Sequence, residues 1–323
     1  MDMRIIYAAI VAFATAIISG PAVIWYLRRL KFGQTVRSEG PKSHLKKTGI
    51  PTMGGIMILL ATTVATLIFQ PDSLDVISAL VVTLGFGLIG LIDDYIIVVK
   101  RRSLGLRARD KLLGQVVLAV LLGLYMLQSS QGIGLYIPFT NLVLNLPPWL
   151  YLLLVIGVMA GTANAVNFTD GLDGLAAGAT AIASVALAII CVALGRWDLA
   201  IFGAAVAGAC LGFSWYNSHP AQVIMGDTGS MGLGAALGAI SVLSNTPFFL
   251  LIVGGLFVIE MLSVMLQVTY FRLTGGRRIF RMSPLHHHFE LVGWPETKVT
   301  FRFWIIGFVF AIIGLLGLPP LLR

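Results

Sequence analysis

The chain carries very little charge. Asp, Glu, Lys and Arg together account for 11% of its 323 residues, whereas soluble domains carry about 25%. Apolar residues account for 58%, above the roughly 45–50% that is usual in soluble domains. This composition excludes an ordinary soluble globular protein and predicts an integral membrane protein.

Several features that would indicate other chemistries are missing. The two cysteines, Cys191 and Cys210, lie singly within apolar runs and have no C-x-x-C spacing, so neither a disulfide framework nor a zinc site is expected. The sequence has no G-x-x-x-x-G-K-[ST] segment, which argues against a P-loop nucleoside triphosphatase. It also has no G-x-S-x-G segment, the nucleophile elbow of α/β-hydrolases.

Ten apolar runs dominate what is present, and a spanning helix needs about 20 apolar residues. The runs therefore take up most of the chain, so we expect residues 1–323 to form a single integral-membrane domain. The predicted fold is all-α and polytopic, because the strands of a membrane barrel would alternate in polarity. Two runs, on either side of a polar stretch at 216–230, are short for a full crossing. The runs cover residues 5–27, 53–69, 76–99, 112–127, 149–166, 175–194, 199–215, 231–243, 247–271 and 301–318.

The basic residues fix the expected orientation. Of the 22 Lys and Arg residues, seven lie in 28–47, six in 100–111 and six in 272–302. With ten spans these are the first, third and ninth loops, which share one side of the membrane. The positive-inside rule makes that side the cytoplasm and places both termini outside. Basic juxtamembrane loops suit anionic membrane lipids, so the net charge of +8 is not taken to indicate a nucleic-acid partner.

One outer loop has a different pattern. Residues 128–148 contain no charged side chain, and two apolar segments, 134–139 and 142–146, flank Thr140 and Asn141. This arrangement predicts a small outer β-hairpin with a two-residue turn.

Aspartates lie close to the membrane on the predicted cytoplasmic side. Asp93 and Asp94 come about six residues before the basic cluster that begins at Lys100. An acid within a membrane helix costs about 2.5–3.5 kcal/mol and usually marks function. The alternative is that one of these acids anchors a basic loop.

Two further polar clusters fall in loops that should face the same side. Asn164, Asn167, Asp170 and Asp173 are spaced by three residues, so a continued helix would place at least three of them on one face. Gly171 and Gly174 allow close approach of a ligand, or the end of a helix with ordinary turn chemistry. Asp227 lies between glycines at the start of a helix, where it could hold a metal beside an anion or act simply as an N-cap.

A histidine run, His286-His287-His288, lies in the ninth loop. Neighbours on a helix point about 100° apart, so these three rings cannot all face one site. We expect one or two of them to face phosphate oxygens and the others to be structural. Glu260, near the middle of the ninth span, shares a helical face with Gln267 and is interpreted as a polar contact between helices.

Together these clusters favour phosphate chemistry assisted by a metal. Asp and Asn oxygens prefer a hard cation, so Mg²⁺ is expected, with Mn²⁺ as the alternative. A phosphoryl transfer at the membrane surface would use carboxylates for the metal and Lys46, Lys47 and Lys111 for the phosphates. An ion-coupled transporter is the alternative of another class, although its acids would lie near the midplane and come from repeated halves.

At these residues the sequence closely resembles the bacterial phospho-N-acetylmuramoyl-pentapeptide transferases, in the polyprenyl-phosphate N-acetylhexosamine-1-phosphate transferase superfamily. The aspartate motifs are similar to those of the whole superfamily, and the histidine motif favours the muramoyl-peptide members. UDP-GlcNAc:polyprenyl-phosphate transferases are the alternative within the superfamily. The motifs are Pro41-Lys42-Ser43-His44, Gly49 to Gly55, Asp93-Asp94, Asn167 to Gly174, Met225 to Ser230 and Pro284 to Glu290.

The resemblance implies a ten-helix enzyme, often dimeric, in the bacterial inner membrane with its active site facing the cytoplasm. It would transfer phospho-MurNAc-pentapeptide from UDP-MurNAc-pentapeptide to undecaprenyl phosphate, giving lipid I and UMP in peptidoglycan synthesis. It implies a magnesium requirement and inhibition by uridine-based nucleosides.

The resemblance also assigns roles to individual residues. It implies that Asp227 binds the metal and that Asp93, Asp94, Asp227 and His286 are catalytic. An aromatic residue is expected three positions before the metal aspartate, where this chain has Ile224; Phe168 is an alternative platform for uracil. Lys111 and Asn164 are added to the substrate-binding set by their own chemistry and spacing. The full set comprises Lys47, Thr52, Lys111, Asn164, Asn167, Asp170, Gly171, Asp173, Asn217, Gln267 and His287.

Overall fold

The computed structural model describes residues 2–30, 49–100, 105–129 and 132–318, and these are helical apart from one small hairpin and the connecting loops. The chain is an all-α polytopic membrane protein, as its composition predicts. The helices are α1 Met3–Arg29, α2 Gly55–Phe69, α3 Leu74–Val98, α4 Ala108–Gln128, α5 Pro148–Thr169, α6 Leu175–Ala193, α7 Trp197–Asn217, α8 Gly226–Leu243, α9 Pro247–Val253, α10 Gly255–Leu273, α11 Leu285–Val292 and α12 Glu296–Leu316.

Each predicted apolar run coincides with helix. Within the described ranges, eight helices are long and apolar enough to cross a membrane, whereas α2 has only 15 residues and α8 has a polar first turn. The ninth run is two helices, α9 and α10, because the helix is interrupted at Gly254. The exact number of crossings and the outward position of both termini stay predictions.

Helix α8 lies at the centre of the bundle, and every residue from Thr228 to Leu243 is buried. Glycines let its neighbours approach very closely. A Cβ at Gly90 of α3 would meet the backbone of Asp227, and a Cβ at Gly55 of α2 would meet the backbone of Gly229. Small residues at such crossings are typical of packed membrane helices. Helices α2 and α3 therefore meet at the N-terminus of α8.

The predicted hairpin is present. Strands β1 Gly134–Tyr136 and β2 Val143–Asn145 pair antiparallel. The turn is longer than the two residues expected, because the Ile137 N–H donates to the Leu142 carbonyl and four residues lie between them. Phe139, with φ of 63°, takes the left-handed conformation that this loop needs.

A buried ionic network joins four helices near the ends of α4 and α8. Arg196, just before α7, pairs with Asp75 at 2.5 Å and with Asp198 at 3.3 Å, and it donates to the Leu243 carbonyl at the end of α8. The Tyr125 hydroxyl of α4 donates to Asp75 at 2.5 Å. The network therefore ties together helices α3, α4, α7 and α8. Asp93, Lys111 and Asp227 lie near the other ends of three of these helices.

Candidate active site

Asp227, Asp93, Lys111 and Asn167 come together at the first turn of α8, and we call these four residues the acidic centre. The Lys111 ammonium pairs with Asp227 Oδ2 and lies 3.7 Å from Asp93 Oδ2. The Asn167 amide donates to Asp227 Oδ1 at 2.8 Å and to the Ser230 hydroxyl at 2.8 Å. Helices α3, α4, α5 and α8 thus each supply one side chain, and a cation already bridges the two acids.

Asp94 has different contacts from Asp93, although the two are adjacent and each is 5% exposed. Its carboxylate accepts hydrogen bonds from the backbone N–H groups of Asp227 and Thr228 at 3.1 and 3.0 Å, and from the Thr228 hydroxyl at 2.7 Å. It therefore stabilises the free amides at the start of α8, an arrangement in which an acid is favourable. Asp93 Oδ1 instead accepts from the Leu106 N–H at 2.6 Å. Asp94 holds Asp227 in place, while Asp93 points towards Lys111.

The segment before α2 supports the same helix start. Gly54 and Gly55 donate to the carbonyls of Ile224 and Met225, both at 2.9 Å, and the Ile224 N–H donates to the Pro51 carbonyl at 2.8 Å. Thr52 is buried beside this pairing, and its hydroxyl would lie 2.9 Å from a Cβ at Gly226. The glycine-rich motif thus fixes the backbone that presents Asp227.

The end of α5 divides the series of polar residues spaced by three. The helix ends at Thr169, and Asp170 is its C-cap. Asn164 donates to Gln115 of α4 at 2.9 Å and to the Ala160 carbonyl, so of this series only Asn167 joins the acidic centre. The end of the helix turns Asp170 and Asp173 into the loop that follows.

Asp173 belongs to a second cluster with His219 and Glu296. Its carboxylate lies 2.9 Å from His219 Nδ1 and accepts from the Ala221 N–H at 3.1 Å. Glu296 lies 3.5 Å from His219 and accepts from the Asp173 N–H at 2.7 Å. One ligand atom of each residue lies within 4.8 Å of the other two, close enough to hold a metal ion. The cluster connects the loop after α5, the loop after α7 and the start of α12.

Asn217 and Gln267, both predicted to bind substrate, fix loops at the same end of the bundle. Asn217 accepts from the Gly174 N–H at 3.0 Å and donates to the Val223 carbonyl at 2.9 Å. Gln267 accepts from the N–H groups of Ile279 and Phe280, both at 3.0 Å. Both side chains are buried, and their hydrogen bonds hold the backbone of these loops in place.

The three histidines of α11 point to different partners, as expected from helical geometry. His286 is fully buried, with Nδ1 3.3 Å from Glu260, and its ring packs against Gly171. His287 Nδ1 lies 2.7 Å from Glu290. His288 Nδ1 accepts from the Arg281 N–H at 3.1 Å. Through its contact with Gly171, His286 reaches the loop after α5.

Known proteins resemble this chain in sequence. Residues 76–245 match the family model described as glycosyl transferase family 4. Proteins named phospho-N-acetylmuramoyl-pentapeptide-transferase are similar to this chain over almost its whole length. That of Desulforamulus reducens is 50% identical, over 98% of this chain and 97% of its own. That of Halalkalibacterium halodurans is 51% identical, over 98% of each chain.

The chain belongs to the phospho-N-acetylmuramoyl-pentapeptide transferase family. The Moorella thermoacetica member is similar to the same degree, being 51% identical over 95% of this chain and 96% of its own. The resemblance inferred from the motifs is therefore confirmed. The roles of individual residues in this family member stay predictions, because membership does not test them one by one.

Some residues predicted for the site lie outside the described ranges, and others found in the site could not be identified from the sequence. Lys47 and the motif at 41–44 lie outside the described residues. His219 lies in the polar stretch at 216–230, but nothing in the sequence marked it as a ligand. Nothing in the sequence marked Glu296 either. Glu260 had the clearest signal, an acid within an apolar run, but its partners could not be read from the sequence.

Proposed function

We propose that this chain transfers phospho-MurNAc-pentapeptide from UDP-MurNAc-pentapeptide to undecaprenyl phosphate, giving lipid I and UMP in peptidoglycan synthesis. The observation that carries the proposal is the acidic centre, in which Asp93, Asp227 and Lys111 meet at the ends of apolar helices. It occurs in a chain about half identical, over nearly its full length, to transferases of that name. A nucleotide-sugar donor and a lipid phosphate are the partners that this activity requires. We take residues 1–323 as one transferase domain.

The acidic centre fits a magnesium ion. Asp227 Oδ2 and Asp93 Oδ2 both contact the Lys111 ammonium, so the site already holds one positive charge between two carboxylates. All of its acceptor atoms are oxygens, which Mg²⁺ prefers. Asp227 and Asp93 would hold the ion, and when bound it would neutralise charge on the diphosphate of the donor. The cluster of Asp173, His219 and Glu296 is less suited to Mg²⁺ because it includes an imidazole nitrogen.

The other side chains of the centre would bind and orient the phosphates. Lys111 is 17% exposed, and when a metal takes its place between the two acids the ammonium would turn towards a phosphate oxygen. Asn167 fixes the rotamer of Asp227 through its amide. Asp94 caps α8 and so keeps Asp227 at the start of the helix. In this proposal Asp93 organises the metal and Lys111, whereas Asp94 acts through the backbone.

An apolar groove supports a lipid acceptor. It lies between α5 and the interrupted pair α9 and α10, has a volume of about 510 Å³, and is lined almost entirely by apolar side chains. Its lining reaches Ala165, two residues before Asn167. Gly157 and Gly161 face open space within it. A polyprenyl chain in this groove would bring its phosphate towards the acidic centre.

The chain is a multi-pass membrane protein, and we propose the bacterial inner membrane with the active site facing the cytoplasm. The placement of Lys and Arg in three loops on one side supports this orientation. A homodimer and inhibition by uridine-based nucleosides are further parts of the proposal. Sedimentation in detergent tests the dimer, and competition against the nucleotide donor tests the inhibitors.

The activity is tested by UMP release from purified protein with undecaprenyl phosphate, comparing UDP-MurNAc-pentapeptide with UDP-GlcNAc. Each donor is assayed with Mg²⁺ and with a chelator. We expect UMP from the muramoyl donor alone, and only with the metal. UMP release from UDP-GlcNAc would support the proposed phosphoryl transfer but show that the donor is a different nucleotide sugar. No UMP from either donor, in folded protein, would favour the transporter.

A further inference from the structure

Glu260 is an acid buried within α10, and nothing in the proposed chemistry uses it so far. Its side chain is 0% exposed. A carboxylate within a membrane helix is costly and is usually retained for a specific contact. Its partners should therefore indicate what it does.

Among the described residues, the hydrogen bonds of the Glu260 side chain are made with the start of α11. Oε2 accepts from the Leu285 N–H at 2.8 Å and Oε1 accepts from the His286 N–H at 3.2 Å. Oε2 also lies 3.3 Å from His286 Nδ1. The acid thus contacts both the backbone and the ring of His286.

The His286 ring is fully buried, and its two nitrogens face different surroundings. Within the described ranges neither nitrogen has a hydrogen-bond partner of good geometry. Nδ1 lies 3.3 Å from Glu260 Oε2. Nε2 lies against Gly171, so close that no Cβ could be placed there. Gly171 belongs to the loop that follows Asn167, a residue of the acidic centre.

We propose that Glu260 is a positioning residue for the transfer reaction, acting through His286. By holding a hydrogen on Nδ1, Glu260 leaves Nε2 as the nitrogen that faces the nucleotide-sugar diphosphate across Gly171. A carboxylate that orients an imidazole in this way is a common device in catalytic sites. The inference rests on the proposed transferase function, since it names the reaction that His286 serves.

A purely structural role for Glu260 makes a different prediction. If the acid only caps α11, its loss would disturb the helix whether or not the imidazole is present. If it acts through the ring, its loss should cost nothing further once the ring is gone. The two roles therefore differ in whether the effects of two substitutions multiply.

The experiment measures kcat for UMP release, with both substrates saturating, in wild type, Glu260→Gln, His286→Ala and the double variant. We expect Glu260→Gln to lose roughly 10- to 100-fold, the range found when the hydrogen-bond partner of a metal-binding histidine is removed. The double variant should then be no slower than His286→Ala. If the loss of kcat in the double variant instead equals the product of the two single losses, the proposal is overturned. Ser263→Ala is the matched control, because Ser263 is buried on the same helix and, among the described residues, donates to the backbone carbonyl of Glu260 and not to its carboxylate.

A second measurement does not depend on any variant being active, and it needs only that His286→Ala is folded. Nitrogen NMR of wild-type protein with labelled histidine, in which His286 is assigned by its absence from His286→Ala, reports which ring nitrogen carries hydrogen. We expect hydrogen on Nδ1, whereas a neutral ring with hydrogen only on Nε2 would overturn the proposal. Wild-type protein that releases no UMP would refute the transferase function itself, a result distinct from either failure of Glu260.

Discussion

Lys111 offers a direct test of the proposed metal position. Its ammonium lies between Asp93 and Asp227, the two acids that we assign to the Mg²⁺ ion. Lys111→Met keeps the length of the side chain but removes its charge from between Asp93 and Asp227. Two partly buried acids would then lack their positive partner until a metal binds. We therefore expect the variant to bind Mg²⁺ more tightly but to turn over more slowly.

The size of the effect follows from the distance. Unit charges 3.7 Å apart interact by about 4.5 kcal/mol at an effective dielectric of about 20. Lys111 and Asp227 are 17% and 25% exposed, so solvent screening reduces this figure. We take about 1.5–3 kcal/mol as the advantage that the metal gains, which corresponds to a roughly 10- to 150-fold lower half-saturating Mg²⁺ concentration. Turnover should fall at least about 100-fold, because the ammonium no longer offsets phosphate charge.

The assay is a Mg²⁺ titration followed by UMP release, repeated with thermal unfolding as a readout that needs no turnover. Arg109→Met is the matched control, because it removes a charge from the same helix at a side chain that is 76% exposed and pairs only with Asp110 among the described residues. The control should change neither quantity. A half-saturating Mg²⁺ concentration in Lys111→Met equal to or above that of wild type would refute the placement of the metal beside Asp93 and Asp227.

Three further substitutions test other parts of the site. Asp93→Asn should lose activity by the same factor at pH 6 and pH 9, because a phosphate monoester with a second pKa of about 6 ionises without a base, and its ionised fraction at each pH is the same for both enzymes. Recovery at pH 9 would restore a base role. Gly171→Ala should lower kcat at least about tenfold, because its Cβ would overlap the buried His286 ring. Gly307→Ala is the control, because a Cβ there has ordinary contacts. Equal activity of the two variants would contradict this prediction. Gly161→Trp should raise the KM for the lipid at least severalfold and leave the KM for the nucleotide donor unchanged. If both KM values change, or neither does, the groove is excluded as the lipid site.

The sequence was a good guide to the helices because the bilayer imposes a length and a composition on them. All ten apolar runs are helical, and the hairpin at 134–145 was predicted from two short apolar segments in a loop without charge. The turn of that hairpin was misjudged because its length depends on contacts with distant residues. Phe139, within it, donates to the carbonyl of Gly317 near the end of the chain.

The site was only partly predictable, for a geometric reason. Asp93 and Asp94 are equivalent in sequence, but neighbours on a helix point about 100° apart, so one faces Lys111 and the other caps α8. Their partners lie on other helices and cannot be identified without the fold. The same holds for Glu260, whose contacts with α11 are 25 and 26 residues away in the chain.

The most direct test of the account is transfer of the sugar phosphate itself at Asp227. Donor labelled in the sugar is incubated with undecaprenyl phosphate, Mg²⁺ and either wild-type protein, Asp227→Asn or Asp72→Asn, the last being a change at an exposed acid before α3. We predict that wild type and Asp72→Asn move the label into the lipid phase in step with UMP release, and that Asp227→Asn moves none. Label transfer by folded Asp227→Asn within tenfold of wild type would contradict the claim that this aspartate holds the catalytic metal.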